Sequence, residues 1–148
     1  MRRLQVVEGF AALRRSVRLG ELSRAPLRLL RFQWDGAAAA VDWVIRAGDP
    51  MAAGLEPSQR AQLVTEQALR DALRLGELMM SELPGVEAAE LRGFRLVAAP
   101  ASAELMIAGR MTRDPPATER VRSLAMRAKL RGLHFLLSEG VLQPLREC

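Results

Sequence analysis

The sequence predicts an α+β fold, a two-layer domain in which helices cover one face of an antiparallel sheet. Apolar residues recur every three or four positions in three segments, as in amphipathic helices, and every second position in the segments between them, as in strands. The chain has 148 residues, 49% hydrophobic and 26% charged, which is typical of one ordinary globular domain. We therefore expect a single hydrophobic core between the two layers.

The first predicted element is an amphipathic helix. Val6, Phe10, Leu13 and Val17 follow one another at helical spacings and form its apolar stripe. Pro26 marks a position by which this helix should have ended. We therefore divide the chain into an N-terminal helical arm, residues 1–25, and a single α+β domain, residues 26–148.

Two strands joined by a hairpin are predicted next. Apolar and polar residues alternate in residues 27–34 and again in residues 41–46, and the pair Asp35 and Gly36 between them is a turn signal. Each strand therefore has one face for the core.

The longest predicted helix begins after Ser58, a favoured N-cap residue, and ends near Leu83, before Pro84 and Gly85. Its apolar stripe, drawn at 100° per residue, consists of Ala61, Val64, Ala68, Ala72, Leu75, Met79 and Leu83. Further apolar residues, Leu69, Leu73 and Met80, lie beside that stripe. Because the apolar face is so broad, we expect the helix to pack on one side and to be touched by another partner on a second side.

A second hairpin is predicted from strands over residues 86–98 and 104–113. A third helix, capped by Thr118, is predicted over residues 119–131, and a last strand over residues 133–138. From residue 40 onward the order is βαββαβ, the ferredoxin-like arrangement, preceded by an extra helix and strand. In that arrangement residues 27–34 have no obvious neighbour, so either this strand displaces the last one or it joins the sheet elsewhere.

Charge is distributed unevenly along the chain. Of the 22 basic residues 21 are arginine, and the formal net charge is +5. Residues 1–31 and 110–131 are basic, and residues 32–109 between them are acidic. This asymmetry can steer a polyanion to one surface or let two copies pair, although it is also consistent with a general preference for arginine over lysine.

One hypothesis for the basic segments is phosphate binding by an RNA- or DNA-binding module. Its candidate residues are Arg14, Arg15, Arg18, Arg110, Arg113, Arg120, Arg127 and Arg131. The arginines of the third helix flank its apolar stripe on two sides, which favours an ordinary solvated face. Residues 92–97 partly match an RNA-binding strand signature, but Leu96 and Ala98 stand where aromatic residues are expected, so we interpret them as an ordinary strand.

Sequence motifs of catalysis, of metal binding and of cofactor binding are absent. The chain has one histidine, His134, and one cysteine, Cys148, with no ligand set, nucleophile motif or phosphate loop around them. We therefore expect a protein that is not an enzyme and has no cofactor. No apolar run is long enough to span a membrane, and the single cysteine is compatible with a reducing compartment, so we predict a cytoplasmic protein.

The surplus apolar surface of the two longer helices leads to the main hypothesis, a protein-interaction or assembly module. The partner would be another protein or a second copy of the chain. The residues predicted to make this contact are Val6, Phe10, Leu13, Val17, Leu69, Leu73 and Met80.

Overall fold

The computed structural model of the chain describes residues 3–17, 26–48, 54–97, 102–113 and 120–145. Its helices are α1 (Arg3–Ser16), α2 (Pro57–Glu82) and α3 (Leu124–Leu130). Its strands are β1 (Arg28–Asp35), β2 (Ala38–Val44), β3 (Ala88–Val97), β4 (Ser102–Thr112), β5 (Leu133–His134), β6 (Leu136–Ser138) and β7 (Val141–Gln143). The predicted α+β class is confirmed.

The main sheet contains five strands in the order β1-β2-β3-β4-β5. Its pairs are antiparallel except for β2 with β3, which run parallel. The α2 helix connects those two parallel strands, as a parallel connection requires a crossover. The sheet is therefore mixed and mostly antiparallel.

The predicted ferredoxin-like strand order is wrong. That order would separate the strands on either side of α2 by a third strand. Instead, β2 and β3 are direct neighbours from the pair Ala38 and Ala88 to the pair Val44 and Phe94. On its other edge, β2 pairs with β1 through a hairpin. With both edges of β2 occupied, neither β4 nor β5 can pair with it.

The extra strand thus forms an edge of the sheet. The β1–β2 hairpin turns at Gly36, whose φ of 60° is a left-handed conformation that suits glycine. A bulge interrupts the pairing between Leu29 and Arg31, and the Leu30 side chain there is 43% exposed. Bulges of this kind are common at sheet edges, where they discourage pairing with another chain.

The core lies between the helices and one face of the sheet. Ala39, Val41 and Trp43 alternate along β2 toward this core, and all are buried. Glycines allow close approach at two points. A Cβ atom on Gly93 would lie 2.8 Å from the indole of Trp43, and Gly76 on α2 lies directly against Met111. Five residues of the predicted α2 stripe are confirmed as core because they are buried: Ala68, Ala72, Leu75, Met79 and Leu83.

Two helix boundaries differ from the prediction. The α2 helix begins at Pro57, and the backbone N–H of Glu56 donates to Gln59 Oε1 at 3.4 Å. The α3 helix begins only at Leu124, because Ser123 caps it by accepting a hydrogen bond from Met126 N at 3.2 Å. The predicted cap Thr118 lies outside the described residues.

The predicted last strand divides at Phe135, which is buried. The part before it, β5, joins the main sheet, and the part after it, β6, forms a separate hairpin with β7. This hairpin is bonded to α2, because Leu142 N donates to Thr65 Oγ1 at 3.0 Å and Gln62 Nε2 donates to the Glu139 carbonyl at 3.1 Å.

Candidate interaction surface on the first helix

The α1 helix is packed into the core. Leu13 and Val17 are 2% and 0% exposed. The ring of Phe10 lies 5.8 Å from that of Phe32 on β1, measured between centroids. Gly9 lies against Trp34 of β1 and Leu83 at the end of α2, where an added Cβ atom would lie 2.8 Å from the Leu83 side chain. The helix therefore rests on both β1 and α2.

This packing accounts for the predicted interaction residues. Leu13, Val17, Leu69 and Met80 are buried, and Val6, Phe10 and Leu73 are half-buried. The apolar stripe of α1 and the apolar flank of α2 thus contact the chain's own core, and only their half-buried members could also touch a partner.

Arginine side chains hold the C-terminal end of α1. Arg46, which follows β2, donates from Nη2 to the Val17 carbonyl, and Arg74 of α2 donates from Nη2 to the Ser16 carbonyl at 2.9 Å. These carbonyls belong to the last turn, where a helix cannot satisfy them itself. The two arginines therefore tie α1 to the rest of the domain.

Arg46 is itself held by a buried polar cluster. Its Nε lies 2.8 Å from Asp71 Oδ2, and Gln67 Nε2 donates to Asp71 Oδ1 at 3.0 Å. The side chains of Arg46 and Asp71 are 1% and 3% exposed. Burial raises the pKa of Asp71, and the hydrogen bonds and positive charge of Arg46 offset that effect only in part.

A groove runs along the outer side of α1, with a volume of about 580 Å³. We call it the α1 groove, and in the described part of the chain it is lined by Val7, Phe10, Ala11, Arg14, Arg15, Pro26 and Leu27. Most of the lining is apolar, and Val7 is 57% exposed, the largest exposed fraction among the large hydrophobic residues of the described chain. The groove thus combines apolar side chains with two arginines.

Both arginines of the α1 groove are exposed. Neither forms a hydrogen bond or ion pair with any residue in the described part of the chain. Other exposed arginines differ, since Arg92 and Arg95 pair with Asp42 and Glu104 at 2.6 and 2.8 Å. Arg14 and Arg15 are therefore available to an acidic ligand.

The predicted phosphate-binding arginines lie on more than one surface of the structure. Arg14 and Arg15 lie on α1, in the helical layer. Arg110 lies on β4 between Gly109 and Met111, and Met111 faces α2, so Arg110 points from the opposite face of the sheet, where it stands opposite Glu90 in the strand register. The two sets of arginines therefore face different sides of the domain.

The remaining predicted arginines have mixed environments. Arg113 donates from Nη2 to the Met80 carbonyl at 2.6 Å and from Nε to the Val86 carbonyl at 3.2 Å. These hydrogen bonds join the end of α2 to the end of β4 and stabilise the fold. Arg131 lies 3.6 Å from Glu77. Arg127 is half-buried and Arg120 is exposed. Arg18 lies outside the described residues.

The sheet face opposite the helices is polar and nearly balanced in charge. Arg31, Asp42 and Arg92 stand side by side on β1, β2 and β3. Asp42 accepts two hydrogen bonds from Arg92, and the Arg92 guanidinium also lies 5.4 Å from the centre of the Phe94 ring. Because Asp42 neutralises Arg92, this face offers little net attraction to a polyanion.

Titratable clusters are sparse. No group of three or more metal-type side chains lies together among the residues that the structure describes. His134 is exposed on β5, and Cys148 lies outside the described residues. None of the helices within those residues is long and apolar enough to cross a membrane.

Sequence reasoning missed both the Arg46–Asp71 pair and the α1 groove. A signal for the pair existed, because Asp71 borders the apolar stripe of α2 between Ala68 and Leu75, where a charge is unusual. No local pattern could have identified the groove, since Pro26 and Leu27 reach α1 only through the tertiary fold.

Comparisons with protein-family models, with curated proteins and with solved structures found no match to this chain.

Proposed function

We propose that the protein is a non-enzymatic protein-interaction module that binds a partner protein, or a second copy of itself, through its N-terminal helix. The observation that carries this proposal is the α1 groove, where Val7 is exposed beside other apolar side chains on a helix that is firmly held. Exposed apolar surface on a rigid element is typical of binding sites.

The long helix contributes indirectly in this proposal. Its residues Leu69 and Met80 are buried, and Arg74 bonds the end of α1. The α2 helix therefore positions α1, and the contact with a partner falls to the outer side of α1. We propose the cytoplasm as the compartment, on the basis of the single cysteine.

A selection from a displayed library of random peptides tests this function, together with sedimentation of the chain over a range of concentrations. We expect enriched peptides or self-association with the wild-type chain, and loss of either in Val7→Asp. Met126→Asp is the matched control, because Met126 is a 50% exposed apolar residue on α3.

The control should behave like wild type. Absence of both peptide enrichment and self-association would overturn the proposal, as would equal losses in the two variants. The thermal unfolding of each variant, followed by circular dichroism, shows whether it is folded.

Phosphate binding is the alternative function. It is favoured by the net charge of +5 and by the exposed Arg14, Arg15 and Arg120, which form no ion pair within the described part of the chain. Such binding must weaken steeply with added salt. A gel-shift series with RNA and DNA at low salt tests it, and complete absence of retention would eliminate it.

A further inference from the structure

The α1 groove has two chemically different ends. Val7, Ala11 and Arg14 follow at helical spacing along one side of α1, and Phe10 and Arg15 border them. The apolar members come first and the arginines last. At 1.5 Å per residue, Val7 and Arg14 are separated by about 10 Å along the helix axis.

The arginine end lacks a counter-charge. Arg14 and Arg15 are exposed and bond to no residue in the described ranges, and the last carbonyls of α1 are already occupied by Arg46 and Arg74. A carboxylate placed here would accept charge-assisted hydrogen bonds without displacing an existing partner.

The size of the groove restricts its occupant. About 580 Å³ lies within the range of sites for compact ligands and is too small for a globular surface to fill with many side chains. A short peptide segment with one or two apolar anchors matches this volume, and its acidic residues can reach the arginines one or two helical turns away.

We propose that the α1 groove binds a short acidic and amphipathic segment of a partner protein. Apolar side chains of that segment would contact Val7, Phe10 and Pro26, and its carboxylates would bind Arg14 and Arg15. This inference rests on the proposed function and adds the chemistry of the partner.

Sequencing the peptides that are enriched in the library selection tests whether the α1 groove prefers acidic, amphipathic segments. With the wild-type chain we expect peptides in which apolar residues are followed or preceded within two helical turns by Asp or Glu. With the double variant Arg14→Glu/Arg15→Glu we expect Lys and Arg at those positions instead. Arg60→Glu, an exposed arginine of α2, is the matched control and should select the same acidic peptides as wild type.

A thermodynamic cycle then measures the contact. For the best enriched peptide, changing its acidic residues to Gln should weaken binding to the wild-type chain about tenfold or more, measured by fluorescence anisotropy. The same change in the peptide should have little effect on its binding to the variant Arg14→Gln/Arg15→Gln, because that variant lacks the positive charges that the peptide's carboxylates would bind.

The outcomes separate the two proposals. If no peptide is enriched and no self-association occurs, the proposed function fails. Enriched peptides without acidic residues, or an acidic-to-Gln change without effect, would overturn only this inference. Displacement of the peptide by dodecanoate at lower concentration than by free peptide would assign the groove to lipid carboxylates and also overturn it.

Discussion

Two arginine–aspartate pairs lie on opposite faces of the sheet, and they differ mainly in burial. On the helix side, Arg46 and Asp71 are 1% and 3% exposed and bond to a third residue, Gln67. On the open face, the Arg92 and Asp42 side chains are 47% and 12% exposed. Both pairs have short hydrogen bonds, so their geometry does not distinguish them.

We expect this difference in burial to decide how much each ion pair contributes to stability. Removing one partner of a buried pair leaves a charge that water cannot reach, whereas an exposed charge is solvated immediately. Arg46 also bonds the end of α1, so the buried pair supports the helix that forms the α1 groove. The open-face pair has no such dependent element.

The largest expected effect is on the buried pair. We expect Arg46→Met to lower the free energy of unfolding by about 3–5 kcal/mol, because it leaves the buried Asp71 carboxylate without the Arg46 charge and removes the donor to the Val17 carbonyl. Chemical denaturation measures this change. The double variant Arg46→Met/Asp71→Leu should be less destabilised than Arg46→Met, and an effect of Arg46→Met no larger than that of Arg92→Met would refute the comparison.

The pH dependence of stability is a smaller effect, since it concerns the protonation of one partner only. Burial raises the pKa of Asp71 in the folded chain above its ordinary value of 3.8, so the folded chain holds a proton there more tightly than the unfolded chain does. The free energy of unfolding of the wild type, compared with that of Asp71→Asn, should therefore fall as the pH rises from 3.8 through the raised pKa of the folded chain.

Denaturation curves of both chains at several pH values measure this slope. The positive charges that act on Asp71 belong to Arg46 and Arg74. A relative stability that rises with pH in this window would mean that the pKa of Asp71 is lowered in the folded chain.

The bond between Arg74 and the Ser16 carbonyl should contribute less than the buried pair. We expect Arg74→Ala to lower the free energy of unfolding by about 1 kcal/mol, because its hydrogen bond is solvent-exposed and water can replace the donor. Hydrogen exchange should show greater opening of the last turn of α1. If exchange increased only in other elements, the Arg74 side chain would not be what holds the last turn of α1.

The smallest effect belongs to the open-face pair. A double-mutant cycle of Asp42→Ala and Arg92→Ala should give a coupling energy of about 0.5 kcal/mol, reduced further by added salt. A coupling as large as that of Arg46 with Asp71 would show that burial is not the deciding factor.

Local pattern predicted much of the fold. The stripe from Ala68 to Met79 is core, and the strands and helices occur in the expected order. Helix ends were less predictable, because Thr118 and Ser123 are both good caps and their relative strength depends on surrounding contacts. The strand order could not be predicted, since alternation states which residues face the core and not which strand lies beside which.

The candidate site was only half visible in the sequence. The apolar stripe of α1 and the surplus apolar surface of α2 both predict contact with a partner, whereas Leu13, Val17, Leu69 and Met80 are buried within the chain itself. A helical wheel gives the width of an apolar face and does not say which element covers it.

The sequence by itself determined the α+β class, the periodicity of each element and the two arginine-rich segments, because these depend on neighbours along the chain. Only the tertiary structure decided that β1 occupies the edge of β2, that Arg46 meets Asp71 and that Pro26 and Leu27 complete the α1 groove. These contacts join residues distant in sequence. Such contacts depend on the packing of whole elements, which no local pattern specifies.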